Sequence, residues 1–198
     1  IKNPDFLKKY SIPFDSADGF LFPSTYYFPK SFSGAQIAKK MVSVFFEKFK
    51  KDLEPLSIQE QKNVLILASI VEKEAVAHEE RPIIASVFYN RIQKNMQLES
   101  CATVIYAFEQ RGVRKKRLLY KDLNIISPYN TYKNLGLPPA PICNPSEKSF
   151  DAALNPAKTS YLYFVYQGQG THIFSTNLKD HMAAYRKHIL YQNKRKDS

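Results

Sequence analysis

The stretch LASIVEKEA, residues 67 to 75, constrains the fold more than any other part of the chain. Projected as a helix at about 100° per residue with Glu74 at zero, Leu67 falls at roughly 20°, Ile70 at about −40°, Val71 at about 60° and Val64 at about 80°. Glu74 thus sits in the middle of an apolar stripe that other elements must cover. The same projection sends Glu72 to about 160°, beside Gln61, and predicts that it faces water. Carboxylates are seldom buried without a partner, and desolvation raises their proton affinity. A carboxyl placed like Glu74 therefore suits a general acid. At this level a plainer alternative stays open, in which Glu74 is solvated at the helix end or paired with an arginine.

The neighbouring elements follow from capping signals and apolar spacing. Residues 1 to 32 form an extended, turn-rich leading segment packed on the domain, because Pro23 and Pro29 break any helix through GFLFPSTYYFP. Ser33 with Gln36 opens one helix, with Ile37, Met41, Phe45, Phe46 and Phe49 facing the core and Lys39, Lys40, Glu47 and Lys50 outside. Ser57 with Glu60 opens the helix that ends at Glu74. A further helix begins near Glu79, with Pro82 in its first turn, and runs to Asn95. ATVIYAF (102–108) fits helix or strand, and a basic surface loop with the run RKKR follows to about 126. SPYNTY (127–132) and GLPPAPICNP (136–145) are long, Pro-rich loops of the kind that form binding walls. Asn144, Pro145 and Glu147 start a helix to Leu154. YLYFVYQ and THIFS around GQG form a β-hairpin. A last helix spans about 178–191, using Met182, Tyr185, Ile189 and Leu190. The fold class is α+β: a mainly helical catalytic domain over 33–193 with a small antiparallel hairpin and Pro-rich loops, ending in a basic tail, 194–198.

Composition narrows the function. A chain of 198 residues with 44% hydrophobic and 24% charged residues can bury a real core. No apolar run approaches the roughly 18 residues of a membrane span, and the N-terminal stretch lacks the apolar core of a signal peptide. The net charge of +11 points to an anionic neighbour. Its aromatics lie in core-periodic runs and not among Arg and Gly, so no nucleic acid is expected as partner. Cys101, Cys143 and the four histidines have no metal-ligand spacing. The cysteines are either two small buried hydrophobes or a pair in an oxidising compartment.

No nucleophile elbow, phosphate loop, dinucleotide fingerprint or HExxH motif is present, leaving a carboxylic acid as the leading reactive group. Glycoside cleavage uses such an acid in an apolar setting, and a hydrolase adds a second carboxylate, for which Glu99, Glu79, Glu80 and Asp151 are available. In sequence order, GFLFPSTY, LASIVEKEA, ERPIIASVFYNRI, TVIYAF, SPYNTY, GLPP, NPAKTSYLYFV and HIFSTNLKDH resemble the MltG (YceG-like) endolytic murein transglycosylases over residues 19 to 185. The resemblance implies an enzyme, a lyase that cuts the MurNAc-β-1,4-GlcNAc bond without water and leaves 1,6-anhydroMurNAc ends. It places Glu74, the second Glu of EKE, as the catalytic acid and base.

The resemblance also implies no cofactor and no metal. It implies nascent peptidoglycan strands as substrate, a role in ending strand elongation, and penicillin-binding synthases as partners. It implies a place in the bacterial envelope, outside the cytoplasmic membrane, held by an anchor and a LysM-like segment that precede this region in the family. Tyr129, Asn130 and Thr131 are candidates to bind sugar hydroxyls or acetamido groups, Ser100, Thr103 and Tyr106 to line the opposite wall, and His172 to lie near the cleft. For Asn130 a turn-stapling role is the alternative. LESCAT (98–103) departs from the family's LQSDPT, with Glu99, Cys101 and Ala102 in place of Gln, Asp and Pro, and Ala75 stands where Thr is common. These departures leave two other readings open: a hydrolytic muramidase using Glu74 and Glu99, and a non-catalytic peptidoglycan-binding module.

Overall fold

A computed structural model describes residues 2–194, with side chains described to Lys187. Its order is α1 (Pro4–Lys9), α2 (Gly34–Leu53), α3 (Ile58–Glu74), a 3-10 turn (His78–Glu80), α4 (Arg81–Gln93), α5 (Cys101–Glu109), a second 3-10 turn (Tyr120–Asn124), α6 (Glu147–Leu154), β1 (Tyr163–Gly168), β2 (Thr171–Ser175) and α7 (Leu178–Lys194). The fold is α+β, mainly helical with one two-stranded antiparallel sheet among the described residues.

Both expected capping boxes form. Ser33 and Gln36 open α2, and Ser57 and Glu60 open α3, each pair satisfying two backbone N–H groups that a helix start leaves unbonded. Helix α3 is the centre of the molecule, and every residue from Val64 to Val71 is buried. Leu65, Ile66, Leu67, Ile70 and Val71 each contribute about 1.5–3 kcal/mol by leaving water. That sum lets the helix carry a desolvated carboxyl at its end.

Because burial wraps α3 on all sides, the projection fails for Glu72. It does not face water: Glu72 Oε2 accepts from Ser146 N (3.0 Å), Ser146 Oγ (2.6 Å) and Ser149 Oγ (2.6 Å) at the start of α6. Arg81 Nε donates to Ser149 Oγ at 2.9 Å, so α3, α4 and α6 meet in one polar knot. These hydrogen bonds and the Arg81 charge outweigh desolvation, itself the largest single influence, and hold the Glu72 carboxyl below its usual range.

Other expectations shift by local causes. The leading segment contains α1, capped by Asn3 accepting from Phe6 N, with Pro4 in the first turn. On α2 the buried face is Ala38, Val42, Phe45, Phe49 and Leu53, one residue around from the expected Ile37 and Met41, which line a cavity against α1. ATVIYAF lies in helix α5. Asn144 does not cap α6; its Oδ1 accepts from Gly19 N (2.7 Å) and Leu21 N (3.2 Å), pinning the leading segment to the Pro-rich loop. Gly19 is required there: at φ 93° a Cβ would lie 2.7 Å from Pro141 Cγ.

The hairpin pairs Tyr163 with Ser175, Phe164 with Phe174, Val165 with Ile173 and Tyr166 with His172. On α7, Met182 and Tyr185 are exposed and Ala184 is buried, the helix turning His181 onto Tyr163 at 5.2 Å between ring centroids. The other expected anchors, Ile189 and Leu190, lie outside the described side chains, as 195–198 of the basic tail lie outside the described residues.

Candidate active site

Helix α3 ends at Glu74 because Ala75 turns to extended backbone (φ −80°, ψ 127°). The next helical start that meets it is α5, whose N-cap is Ser100. Ser100 Oγ donates to Glu74 Oε1 at 2.5 Å. Glu74 keeps partial exposure as a residue. Its carboxyl is nevertheless largely enclosed by protein, and burial pushes its proton affinity up against three opposing influences: the Ser100 hydroxyl, the Ala102 N–H and the charge of His172. The Ala102 N–H belongs to the first turn of α5, where N–H groups have no helical partner and favour an anion. No arginine bonds Glu74 among the described residues, so the solvated or Arg-paired alternative does not describe this carboxyl. Burial favours its protonated form, and the same donors stabilise the carboxylate after the proton is given up.

Ser100 is itself held. Its N–H donates to Thr131 Oγ1 (3.0 Å), its C=O accepts from Thr103 Oγ1 (2.8 Å), and the two threonine hydroxyls lie 2.8 Å apart. Thr131 O accepts from Glu99 N at 3.1 Å. Thr103 and Thr131 are 0% and 1% exposed, so they form the latch behind Ser100 and do not line the opening. Asn130 is also enclosed: Nδ2 donates to Leu123 O (2.9 Å) and Ile125 O (2.8 Å), and Oδ1 accepts from Tyr132 N (3.0 Å). Its hydrogen-bonding capacity goes to stapling the loop, in place of the expected sugar contact. Tyr106 and Tyr129 meet edge to face at 4.9 Å. Burial, then the neighbouring Tyr129, pushes the Tyr106 phenol up to about 12. Tyr106 lies one turn beyond Ala102 on α5, on the same face.

The hairpin brings His172 to the end of α3, its turn packing so that a Cβ on Gly170 would come 3.3 Å from Val76 Cγ1. Glu80, in the 3-10 turn before α4, accepts from His172 N (2.9 Å) and from Nδ1 (2.7 Å). Glu99 is bound instead to Arg91, whose Nη1 lies 2.9 Å from its carboxylate and also donates to Gln97 O and Leu98 O. It is anchored to a cation and not free to serve as a second base. Cys101 is exposed and bonds Tyr132 Oη at 3.2 Å, whereas Cys143 is partly buried with Sγ on Ser69 O; both are free thiols, so the disulfide alternative fails and Cys101 is no core residue. A cavity of about 770 Å³ lies elsewhere, lined by Phe6, Leu21, Ile37 and Met41, and contains none of these groups.

Sequence reasoning passed over Arg91 and Tyr132 as part of this centre, and weighed Glu80 only as a second carboxylate, not as a partner of His172. Each is fixed by a partner distant in the chain, 92 residues for Glu80 with His172 and 71 for Arg91 with Leu162 O. Local periodicity carries no signal of such pairs.

The chain matches the profile of the YceG-like family over residues 2–187. It is 43% identical over 182 residues to an endolytic murein transglycosylase of Bacillus subtilis (strain 168), covering 90% of this chain and 49% of that protein. With the endolytic murein transglycosylase of Streptococcus pneumoniae serotype 2 (strain D39) it shares 35% over 181 residues, covering 87% of this chain and 32% of the relative. The crystal structure of a yceG-like protein from Listeria monocytogenes superposes with a TM-score of 0.77 at 38% identity, covering 92% of this chain and 64% of that one. The chain therefore spans from about a third to a half of these curated relatives' length. With its motifs in order, its fold shared and most of its length matched, the chain belongs to the YceG-like family.

Proposed function

We propose that this chain is the catalytic portion of an endolytic murein transglycosylase, acting on peptidoglycan strands. The observation that carries the reading is Glu74: one carboxyl, desolvated so that it holds a proton, with Ser100 and the Ala102 N–H ready to receive the charge when the proton leaves. The relatives' names supply the substrate class.

Glu74 protonates the glycosidic oxygen between MurNAc and GlcNAc, and the C1–O bond breaks, freeing a GlcNAc 4-hydroxyl. The muramyl 6-hydroxyl oxygen bonds to C1, and its proton passes to the Glu74 carboxylate. The product carries a 1,6-anhydro ring, the acid is regenerated, and no water is consumed. Nucleophile and electrophile belong to one sugar, so little entropy is lost in bringing them together. A single carboxyl suffices, which accords with Glu99 being committed to Arg91. Tyr106 and Tyr129 extend the wall along α5, and Ser100 and His172 border the reacting bond.

The same reading implies a place in the cell envelope, on the outer side of the cytoplasmic membrane, with penicillin-binding synthases as the neighbours that supply its strands. Among the described residues no helix is long and apolar enough to cross a membrane. The test is digestion of uncrosslinked glycan strands by wild type and by Glu74→Gln, read by mass spectrometry. Internal fragments with anhydro ends from wild type alone are expected. Hydrated reducing ends, or equal cleavage by the variant, would overturn the reading.

A further inference from the structure

We infer that Glu80 is a positioning residue for this centre, fixing the tautomer and orientation of His172 so that the imidazole faces Glu74 through Nε2. The inference rests on the transglycosylase reading for its chemistry and on geometry for its structure.

Glu80 lies at the junction between the 3-10 turn and α4, and its two oxygens divide the work. Oε1 accepts the backbone N–H of His172 at 2.9 Å, and Oε2 meets Nδ1 at 2.7 Å. An ionised carboxylate only accepts, so Nδ1 carries a hydrogen and the neutral ring keeps its lone pair at Nε2. The two contacts fix both the strand and the ring of one residue to one carboxylate. The His172 and Glu80 side chains are 6% and 13% exposed, and Phe164, Tyr166 and Phe174 surround the ring, the first two edge-on at 5.5 and 5.7 Å. Nε2 has no protein hydrogen bond among the described residues, yet it is not sealed from solvent.

The placement of the ring matters because the charge of His172 is one of the influences that lower the proton affinity of Glu74. The other ionisable groups facing Glu74 are Cys101 on α5 and Tyr132 on the following loop. Burial first, and the Glu74 charge in part, push both upward, which favours their neutral forms. Facing His172 in turn are Glu80 from the turn before α4 and Glu74 from α3. The imidazole is thus bonded to Glu80 and acts on a carboxyl that alternates between acid and carboxylate during the cycle. The charge of His172 favours the Glu74 carboxylate once it has protonated the leaving oxygen, and Glu80 holds the ring where it can act. The arrangement follows the same logic by which a buried carboxylate orients a catalytic imidazole, applied here to a group that assists an acid.

The experiment combines nitrogen NMR of the imidazole rings with pH–rate profiles for wild type, Glu80→Gln, His172→Gln and the double variant. Glu80→Gln keeps an oxygen for the His172 N–H, so the hairpin stays docked, which thermal unfolding verifies. In wild type the ring assigned to His172 is expected as the Nδ1–H tautomer, and Glu80→Gln is expected to lose that preference. With Glu80→Gln, kcat falls on the order of tenfold to a hundredfold while KM moves less than about threefold. The alkaline limb moves to higher pH, because a ring no longer held by Glu80 withdraws an influence that lowers the proton affinity of Glu74. The double variant is no slower than His172→Gln, since both changes remove one device.

An Nε2–H tautomer in wild type, an unchanged pH profile in Glu80→Gln, or additive losses in the double variant would each overturn the inference. Absence of anhydro products from wild type would sink the activity reading instead. The ring tautomer and its response to Glu80→Gln would then decide the positioning role alone.

Discussion

Replacing Glu72 by alanine tests whether the polar knot between α3, α4 and α6 holds the acid in place. The wild-type carboxylate accepts three hydrogen bonds on one oxygen, two of them at 2.6 Å from serine hydroxyls and one at 3.0 Å from a helix-start N–H. Ser149 is 0% exposed and Arg81 5%, so alanine leaves their donors with little access to water. Each buried donor left unpaired costs about 1–3 kcal/mol, and Arg81, which reaches the carboxylate only through Ser149, loses a nearby anion. The hydroxyls can rotate to other acceptors, so the sum settles at about 3–5 kcal/mol. For a chain of this size each kcal/mol moves Tm by about 2–4 °C, giving a drop of roughly 6–20 °C.

Glu72→Gln keeps the acceptor and loses the charge, and costs about 1–2 kcal/mol. The pH dependence carries a sign. The folded carboxyl is held below its unfolded value, so its contribution is present above the unfolded value of about 4.3 and fades as pH falls through the folded one. Circular dichroism melts of both variants between pH 3 and 8 read all of this. A loss under about 1 kcal/mol in the alanine variant, or an acid limb unchanged in the glutamine variant, would refute the knot's role.

Two other outcomes follow from the site. Glu74→Gln should raise Tm at neutral pH, since the folded carboxyl has its proton affinity raised by burial and ionising it costs stability that is lost as pH rises from the unfolded value toward the folded one; the gain should vanish below about pH 4 in the same melts. Ser100→Ala removes the 2.5 Å bond to Glu74, so kcat should fall about tenfold or more while the alkaline limb of the pH–rate profile moves upward, an effect measurable on the same glycan digest.

How much of this was legible in the chain depends on the range over which each feature is encoded. The two capping boxes, the hairpin and the placement of Glu74 on a buried face are local matters of spacing, and each appears where the residues put it. Glu72 went astray because a projection assumes that a helix has one broad wet side, and α3 is buried all round from Val64 to Val71, just before it. Asn130 and Thr131 sit in a segment that looks like a binding wall because such walls and stapled loops share Asn, Thr and Pro. Only the acceptors at Leu123 and Ile125 tell them apart. Met182 and Tyr185 repeat at helical spacing, but the hairpin offers α7 a narrow surface, and His181 and Ala184 take it.

The tie between Asn144 and the backbone at Gly19 and Leu21 bridges 125 and 123 residues. A growing chain emerging at about 5–20 residues per second has released Leu21 for roughly 6–25 s before Asn144 appears. Throughout that interval Phe20 and Phe22 have only part of their final shelter, because the Pro-rich loop and Phe150 of α6 are still to come. The N-terminal third of this chain therefore waits for its C-terminal third, and folding completes late, with long-range closure as its slow step. A chain stopped before α6 lacks both the lid over α2 and the serines that hold Glu72, so it has no partial route to a working centre.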